Sequence, residues 1–313
     1  MPNALTTSCH PCRLPLLGLA LVANLLAMYA SETGSPAETL INLPRPLVIG
    51  HRGYNQIAPE NTLPSFKLAK MAGADLVELD YHHTKDGVPV VIHDGELDRT
   101  TDARARWGGE KIPVASKTLD ELRVLDAGEW FDARSAVTRL SSLAEALDFI
   151  QDGNVTLIER KAGDAATCVK LLRDRNLINR VVVQSFDWSY LKDFHQQEPR
   201  QALAALGPPW SRGGKKLTDT EKQLDQFWLD EIKTLGAKVA VWNQQITREA
   251  VDYAHKQGLK VWVYTVNDPA VANKMLDLGA DGIITDNIAI LWRTIALRDS
   301  ATPHSTLLPG AKL

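Results

Sequence analysis

The sequence predicts a (β/α)8 barrel with a hairpin and a small insertion after the second strand. From Leu47 onward, short β-branched and apolar runs alternate with segments of helical period, the pattern of a parallel sheet covered by helices. Eight such runs occur, the number that closes a TIM barrel. Gly73, Gly236, Gly258 and Gly279 each follow a helical segment, where a left-handed C-terminal residue favours glycine. A doubly wound open sheet is the alternative for the same alternation.

The strands are expected at 47–51, 76–80, 155–159, 181–185, 201–206, 238–241, 260–265 and 282–285. Helices fit at 62–72, 142–151, 165–176, 189–197, 221–235, 247–257 and 269–278. A further β-rich run, 88–93, follows the second strand too closely for a crossover helix. Asp86-Gly87 marks a tight turn, so this run is expected to pair antiparallel with the second strand, and a two-residue turn sets Asp80 opposite His93. Residues 94–140, rich in Arg, Gly and Asp, form an insertion that caps one end of the barrel. Its Trp107, Trp130 and Phe131 either line a pocket or pack into a private core.

The ends of the chain differ in character from this body. Residues 14–30 are an apolar run broken by Pro15, Gly18 and Asn24 and preceded by Arg13. The run is shorter than the roughly 20 residues of a membrane-spanning helix, so residues 1–30 are expected to be a signal peptide, with an uncleaved anchor as the alternative. An exported protein, periplasmic or extracellular, is the corresponding expectation. Residues 31–46, with three prolines and no periodicity, are expected to be a linker, and 299–313 a disordered tail; the barrel then occupies 47–298.

Composition excludes several classes of function. Among 313 residues, 35 Lys plus Arg stand against 38 Asp plus Glu, so no cationic excess favours nucleic acid or an anionic membrane. Membrane contact is expected only through the N-terminal segment, if it stays uncleaved. Cys9 and Cys12 precede the apolar run without a strand-helix pattern around them, and Cys168 alone lies in the body, which therefore holds no intrachain disulfide.

The second strand carries the most chemistry. Alternation places Val77, Leu79 and Tyr81 on one face and Glu78, Asp80 and His82 on the other. The apolar face suits packing against helices, so the two carboxylates point into the barrel, where burial without a cation or hydrogen bonds is costly. Glu159 and Lys161 repeat this parity at the end of another strand. Three carboxylates at the C-terminal ends of neighbouring strands make an all-oxygen site for one hard cation, Ca²⁺ or Mg²⁺; a salt-bridge network with Lys161 or Arg52 is the structural alternative. His51 and His93 end their own strands toward the same face, and paired imidazoles suit proton transfer near neutral pH. His82 and His83 are expected in supporting positions. Asn61 or Thr62 suits the N-cap of the helix that follows.

Several motifs occur together in order: His51-Arg52-Gly53, Pro59-Glu60-Asn61-Thr62, Glu78-x-Asp80, Thr84-Lys85-Asp86-Gly87, Val90-Val91-Ile92-His93-Asp94, Arg99-Thr100-Thr101 and Glu159-x-Lys161. With Gln184-Ser185-Phe186, Thr265-Val266-Asn267 and Gly282-Ile283-Ile284-Thr285-Asp286, this set resembles the glycerophosphodiester phosphodiesterases over about residues 47–288. The resemblance implies a barrel with an insertion after the second strand, and metal-dependent hydrolysis of small-molecule glycerophosphodiesters to sn-glycerol 3-phosphate and an alcohol. It implies His51 and His93 as the general acid-base pair, Glu78, Asp80 and Glu159 as ligands of a divalent cation, and Arg52 and Lys161 as contacts to the phosphate. Attack by a glycerol hydroxyl through a cyclic phosphate, and direct attack by water, both fit it. Tyr264 and Arg160 depart from the family pattern, which more often has Trp and an apolar residue there. Of Trp262 and Tyr264, one is expected to face the barrel. Two other readings stay open: a phospholipase D-like enzyme acting on intact or lyso-phospholipids, and a non-catalytic barrel that binds a phosphodiester.

Overall fold

The computed structural model describes residues 35–212 and 214–301. The apolar run at 14–30 and the Cys9–Cys12 pair lie outside the described residues, as does the tail beyond Ala301. Helix α1 (Pro36–Ile41) precedes β1 (Leu47–Gly50), α2 (Leu63–Met71), β2 (Leu76–His83) and β3 (Pro89–Val91). Short helices α3 (Ala103–Trp107) and α4 (Leu119–Leu122) lie in the insertion, followed by α5 (Leu143–Ile150), β4 (Val155–Arg160) and α6 (Ala165–Asp174). Then come β5 (Val182–Ser185), α7 (Trp188–Gln197), β6 (Ala202–Gly207) and a small hairpin of β7 (Ser211–Arg212) and β8 (Lys215–Lys216). The chain continues through α8 (Gln226–Thr234), β9 (Val239–Trp242), α9 (Arg248–Lys256), β10 (Lys260–Val263), α10 (Pro269–Asp277), β11 (Gly282–Thr285) and α11 (Ile288–Ala301).

The sheet runs β1-β11-β10-β9-β6-β5-β4-β2, and β1 also pairs with β2, which closes the expected barrel of parallel strands. Alternation divides its core in two. Val77, Leu79, Tyr81, Ile158, Val183 and Leu203 point outward against the helices. Leu47, Ile49, Leu76, Leu157, Val182, Val241, Trp262 and Ile284 fill the interior. Most of the helices that cover the barrel begin at side-chain caps, among them Thr62, Ser142, Asp164, Asp187 and Thr247, each accepting a first-turn backbone N–H.

Four details depart from the sequence reading. The linker expected at 31–46 contains α1, whose Ala37 and Ile41 are buried in the interior cluster with the strand-opening residues Leu47 and Leu76. Two apolar residues four apart make one helical face, too short a signal for periodicity to register. At the other end, α11 continues past residue 298 to Ala301. Thirdly, the β2–β3 register is one residue off. Gly87 (φ 76°) donates its N–H to Thr84 O at 3.0 Å, and Thr84 N bonds Val88 O, so the turn has three residues rather than two. Tyr81 therefore pairs with Val91, and Ile92 N bonds Asp80 O at 3.1 Å, which places Ile92 opposite Asp80. Lastly, Trp262 and Tyr264 are two residues apart and so share a face: both belong to the interior, Trp262 fully buried and Tyr264 packed against the same cluster.

The insertion builds a core of its own from Val90, Ile92, Leu97, Val114, Leu122, Leu125 and Leu140. Trp107 packs against that core under the Lys117 ammonium rather than lining a pocket.

Candidate active site

Parallel pairing of β2 with β4 sets Asp80 beside Glu159, and alternation adds Glu78 one turn of pleat below. Each of these three buried carboxylates offers an oxygen within 4.8 Å of the others. Their environments differ. Asn61 donates to Asp80 Oδ2 at 2.8 Å, and its carbonyl accepts Asp80 N–H at 3.0 Å. The Lys161 ammonium lies 3.1 Å from Asp80 Oδ1, and Lys161 and Arg52 hold this carboxyl well below its ordinary range despite its burial. Glu78 is pushed far the other way by burial and by the charges of Asp80 and Glu159. Burial and Asp80 raise Glu159 to about 7, although Lys161 bonds it directly.

Glu78 Oε1 is buried without a hydrogen-bond donor, the Lys161 ammonium faces Asp80 Oδ1 at 3.1 Å, and burial raises both Glu78 and Glu159. Two local cations, Arg52 and Lys161, face the three buried carboxylates. The donor set is all oxygen and fits a hard divalent cation held by Glu78, Asp80 and Glu159.

The turn after β1 supplies the next groups. Arg52 and Asn61 both adopt left-handed backbone conformations, φ 53° and 58°. This turn aims the Arg52 N–H at Glu78 Oε2, 2.6 Å away, while the Arg52 guanidinium reaches Glu60 at 2.8 Å. Gly53, at φ 87°, packs so closely on Ser65 that a Cβ would lie 2.3 Å from its hydroxyl. Thr62, not Asn61, caps α2, which leaves Asn61 free to clasp Asp80.

Each histidine is held through Nδ1 by a carboxylate. His51 Nδ1 lies 2.6 Å from Asp286 Oδ1, and His93 Nδ1 lies 2.6 Å from Asp94 Oδ1. Asn55 and Asn267 donate to Asp286 at 2.7 and 2.6 Å, so that carboxylate is fixed from both sides; its pKa stands at about 2, burial notwithstanding. Arg99 bonds Asp94 at 2.6 Å and forks onto both oxygens of Glu60 at 2.8 Å. A chain of ion pairs thus runs from Arg52 through Glu60 and Arg99 to Asp94, the carboxylate that holds His93. Burial and the Lys161 and Arg52 cations keep the His93 imidazole below its ordinary value, against the pull of Asp80 and Asp94.

Both imidazoles line a cavity of about 190 Å³ at the C-terminal end of the barrel, together with Arg52, Glu78, Glu159, Lys161, Gln184 and Tyr264. All seven side chains expected from the sequence converge there or on its wall: Asp80 lies behind, bonded to Lys161. His82 supports the site, its Nε2 lying 3.0 Å from His93 O, and His83 stacks on Tyr81.

Residues 51–290 match the model of the Glycerophosphoryl diester phosphodiesterase family. The chain belongs to that family. A glycerophosphodiester phosphodiesterase of Caldanaerobacter subterraneus subsp. tengcongensis is 33% identical over 248 residues, 77% of this chain and 94% of its own. One of Bacillus subtilis is 30% identical over 278 residues, covering 83% of this chain and 89% of its own. An Oleispira antarctica phosphodiesterase, solved in complex with the product sn-glycerol-3-phosphate, superposes with a TM-score of 0.69 at 27% identity over 80% of this chain and 97% of its own. The chain is accordingly an enzyme, a glycerophosphodiester phosphodiesterase.

Some functional residues of this phosphodiesterase had no role assigned from sequence. Asp286, Asn55 and Asn267 orient His51, and Arg99 and Glu60 brace His93 and Arg52. Barrel closure was the available signal for Asp286: β1 pairs with β11 with Gly50 opposite Thr285, so the next residues on each strand, His51 and Asp286, meet. Arg160 bonds Asp187 at 2.9 Å and lies over the Tyr190 ring.

Proposed function

We propose that this enzyme hydrolyses glycerophosphodiesters, glycerophosphocholine and glycerophosphoethanolamine among them, to sn-glycerol 3-phosphate and the free alcohol. His51 and His93 act as its general acid-base pair, and Glu78, Asp80 and Glu159 hold one divalent cation, Ca²⁺ or Mg²⁺. The observation that carries this reading is the pair of carboxylate-held imidazoles on one small cavity beside three buried acids. With Nδ1–H donated to Asp286 or Asp94, each ring presents Nε2 as the atom that exchanges protons. One Nε2 takes the proton of the attacking oxygen, that of water or of the neighbouring glycerol hydroxyl; the other gives a proton to the alcohol oxygen as its bond to phosphorus breaks, and in the glycerol case water then opens the cyclic phosphate to sn-glycerol 3-phosphate. Arg52 and Lys161 line the cavity and offset charge on the phosphoryl oxygens. When bound, the divalent cation adds Lewis-acid stabilisation of the same charge. The apolar run at 14–30 supports an exported enzyme.

The test is release of sn-glycerol 3-phosphate from glycerophosphoethanolamine by the wild type, His51→Ala and His93→Ala. Loss of about 10²–10⁴ in kcat in both variants, with unchanged thermal unfolding, is expected. Near-wild-type turnover in both removes the assignment.

A further inference from the structure

A second chamber, of about 530 Å³, adjoins the first. It is lined by His93, Glu159, Arg160, Lys161, Ser185, Phe186, Asp187 and Trp210, and so shares His93, Glu159, Lys161 and Phe186 with the inner cavity but not His51. The inner cavity is the smaller, about 190 Å³, and is lined by Glu78, Glu159 and both imidazoles. The wall common to both chambers is on the His93 side, which gives the other substituent of a diester a way out of the inner cavity.

Three aromatic rings run along that route. Tyr264 lines the inner cavity, its hydroxyl anchored on Gly207 O at 2.8 Å. Phe186 meets it edge-on at 5.9 Å, and Trp210 lies 6.2 Å beyond Phe186. Trp210 is 83% exposed, an indole face left to water at the rim of the chamber.

The polar groups of this chamber are engaged with one another. Asp187 accepts from Arg160, from the hydroxyl and N–H of Ser189 and from Tyr190 N–H. The Ser185 hydroxyl donates to Arg160 O and accepts from Asp187 N–H. Glu159 is taken by Lys161. A primary ammonium or a polyol needs free acceptors and finds few here. A quaternary ammonium needs none, and is held by ring faces.

Resting on the reaction proposed above, we infer that this outer chamber is the leaving-alcohol subsite and that the Phe186–Trp210 shelf selects an alcohol bearing a quaternary ammonium. The test is the ratio of kcat/KM for glycerophosphocholine to that for glycerophosphoethanolamine, measured by sn-glycerol 3-phosphate release in the wild type, Trp210→Ala and Trp210→Phe. The wild-type ratio is expected above one, falling about two- to fivefold in Trp210→Ala and recovering in Trp210→Phe, which keeps a ring face. Because Trp210 is largely in solvent, its truncation costs the fold little. A wild-type ratio at or below one, or a ratio unmoved by Trp210→Ala while both esters are still cleaved, overturns the subsite. Absence of release from either ester by the wild type overturns the reaction itself, and the subsite with it.

Discussion

His51 and Asp286 stand 235 positions apart in sequence and 2.6 Å apart in space, joined where the first and last strands of the barrel meet. The carboxylate fixes Nδ1–H, orients the ring and leaves Nε2 toward the cavity. Replacing Asp286 by Asn keeps the shape but removes the charge and permits the other tautomer. Asp286→Asn is expected to lower kcat by about 10²-fold or more with little change in KM, checked by steady-state kinetics. An unchanged kcat would show that His51 needs no such support.

On the other side of the cavity, Arg99 ties Asp94 to Glu60. Arg99→Ala leaves Asp94 without its clamp and His93 less firmly placed. A fall in kcat of about 10-fold is expected, the usual scale for a residue that orients a reacting group. The readout is kcat against KM: a merely structural role would lower the melting temperature and leave kcat alone.

The three acids make a pH-dependent prediction for metal-free protein. Glu159 has a folded pKa raised from 4.5 to about 7. A raised pKa means that the folded state binds the proton more tightly. Its contribution is therefore fully present below pH 4.5 and lost as pH rises to about 7. Glu159→Gln removes this loss, so in EDTA the variant should gain stability relative to wild type across that window. Urea melts of both proteins at pH 4.5 and pH 7.5 measure the difference; a pH-independent difference contradicts it.

At the opposite end of the barrel, α1 closes the interior with Ile41, 4% exposed. Ile41→Ala should cost about 2–4 kcal/mol in denaturant melts and leave kcat unchanged. No loss of stability would mean that α1 contributes nothing to the core.

What the sequence revealed followed from how local the physics is. Strand alternation is a two-residue rule, so Glu78, Asp80 and Glu159 were legible, as were the outward faces of Val77 and Leu79. His93 was found although its expected register was wrong: β3 ends at Val91, and the imidazole reaches the cavity after the strand has stopped. The turn that shifted the register depends on the left-handed Gly87, and Asp-Gly fits both a two- and a three-residue loop. Asp286 required knowing which strands become neighbours. Helix α1 and the β7–β8 hairpin were too short to carry a period, and Trp210, beside that hairpin, gave no sign of its place on the cavity rim.

The central claim is tested most directly by stripping the purified enzyme with EDTA, incubating it with glycerophosphocholine, and assaying sn-glycerol 3-phosphate before and after adding back Ca²⁺ or Mg²⁺. No release without a cation, and recovery with at least one of the two, is the predicted result. Full release in EDTA, or release of phosphocholine and glycerol in place of sn-glycerol 3-phosphate and choline, would contradict it.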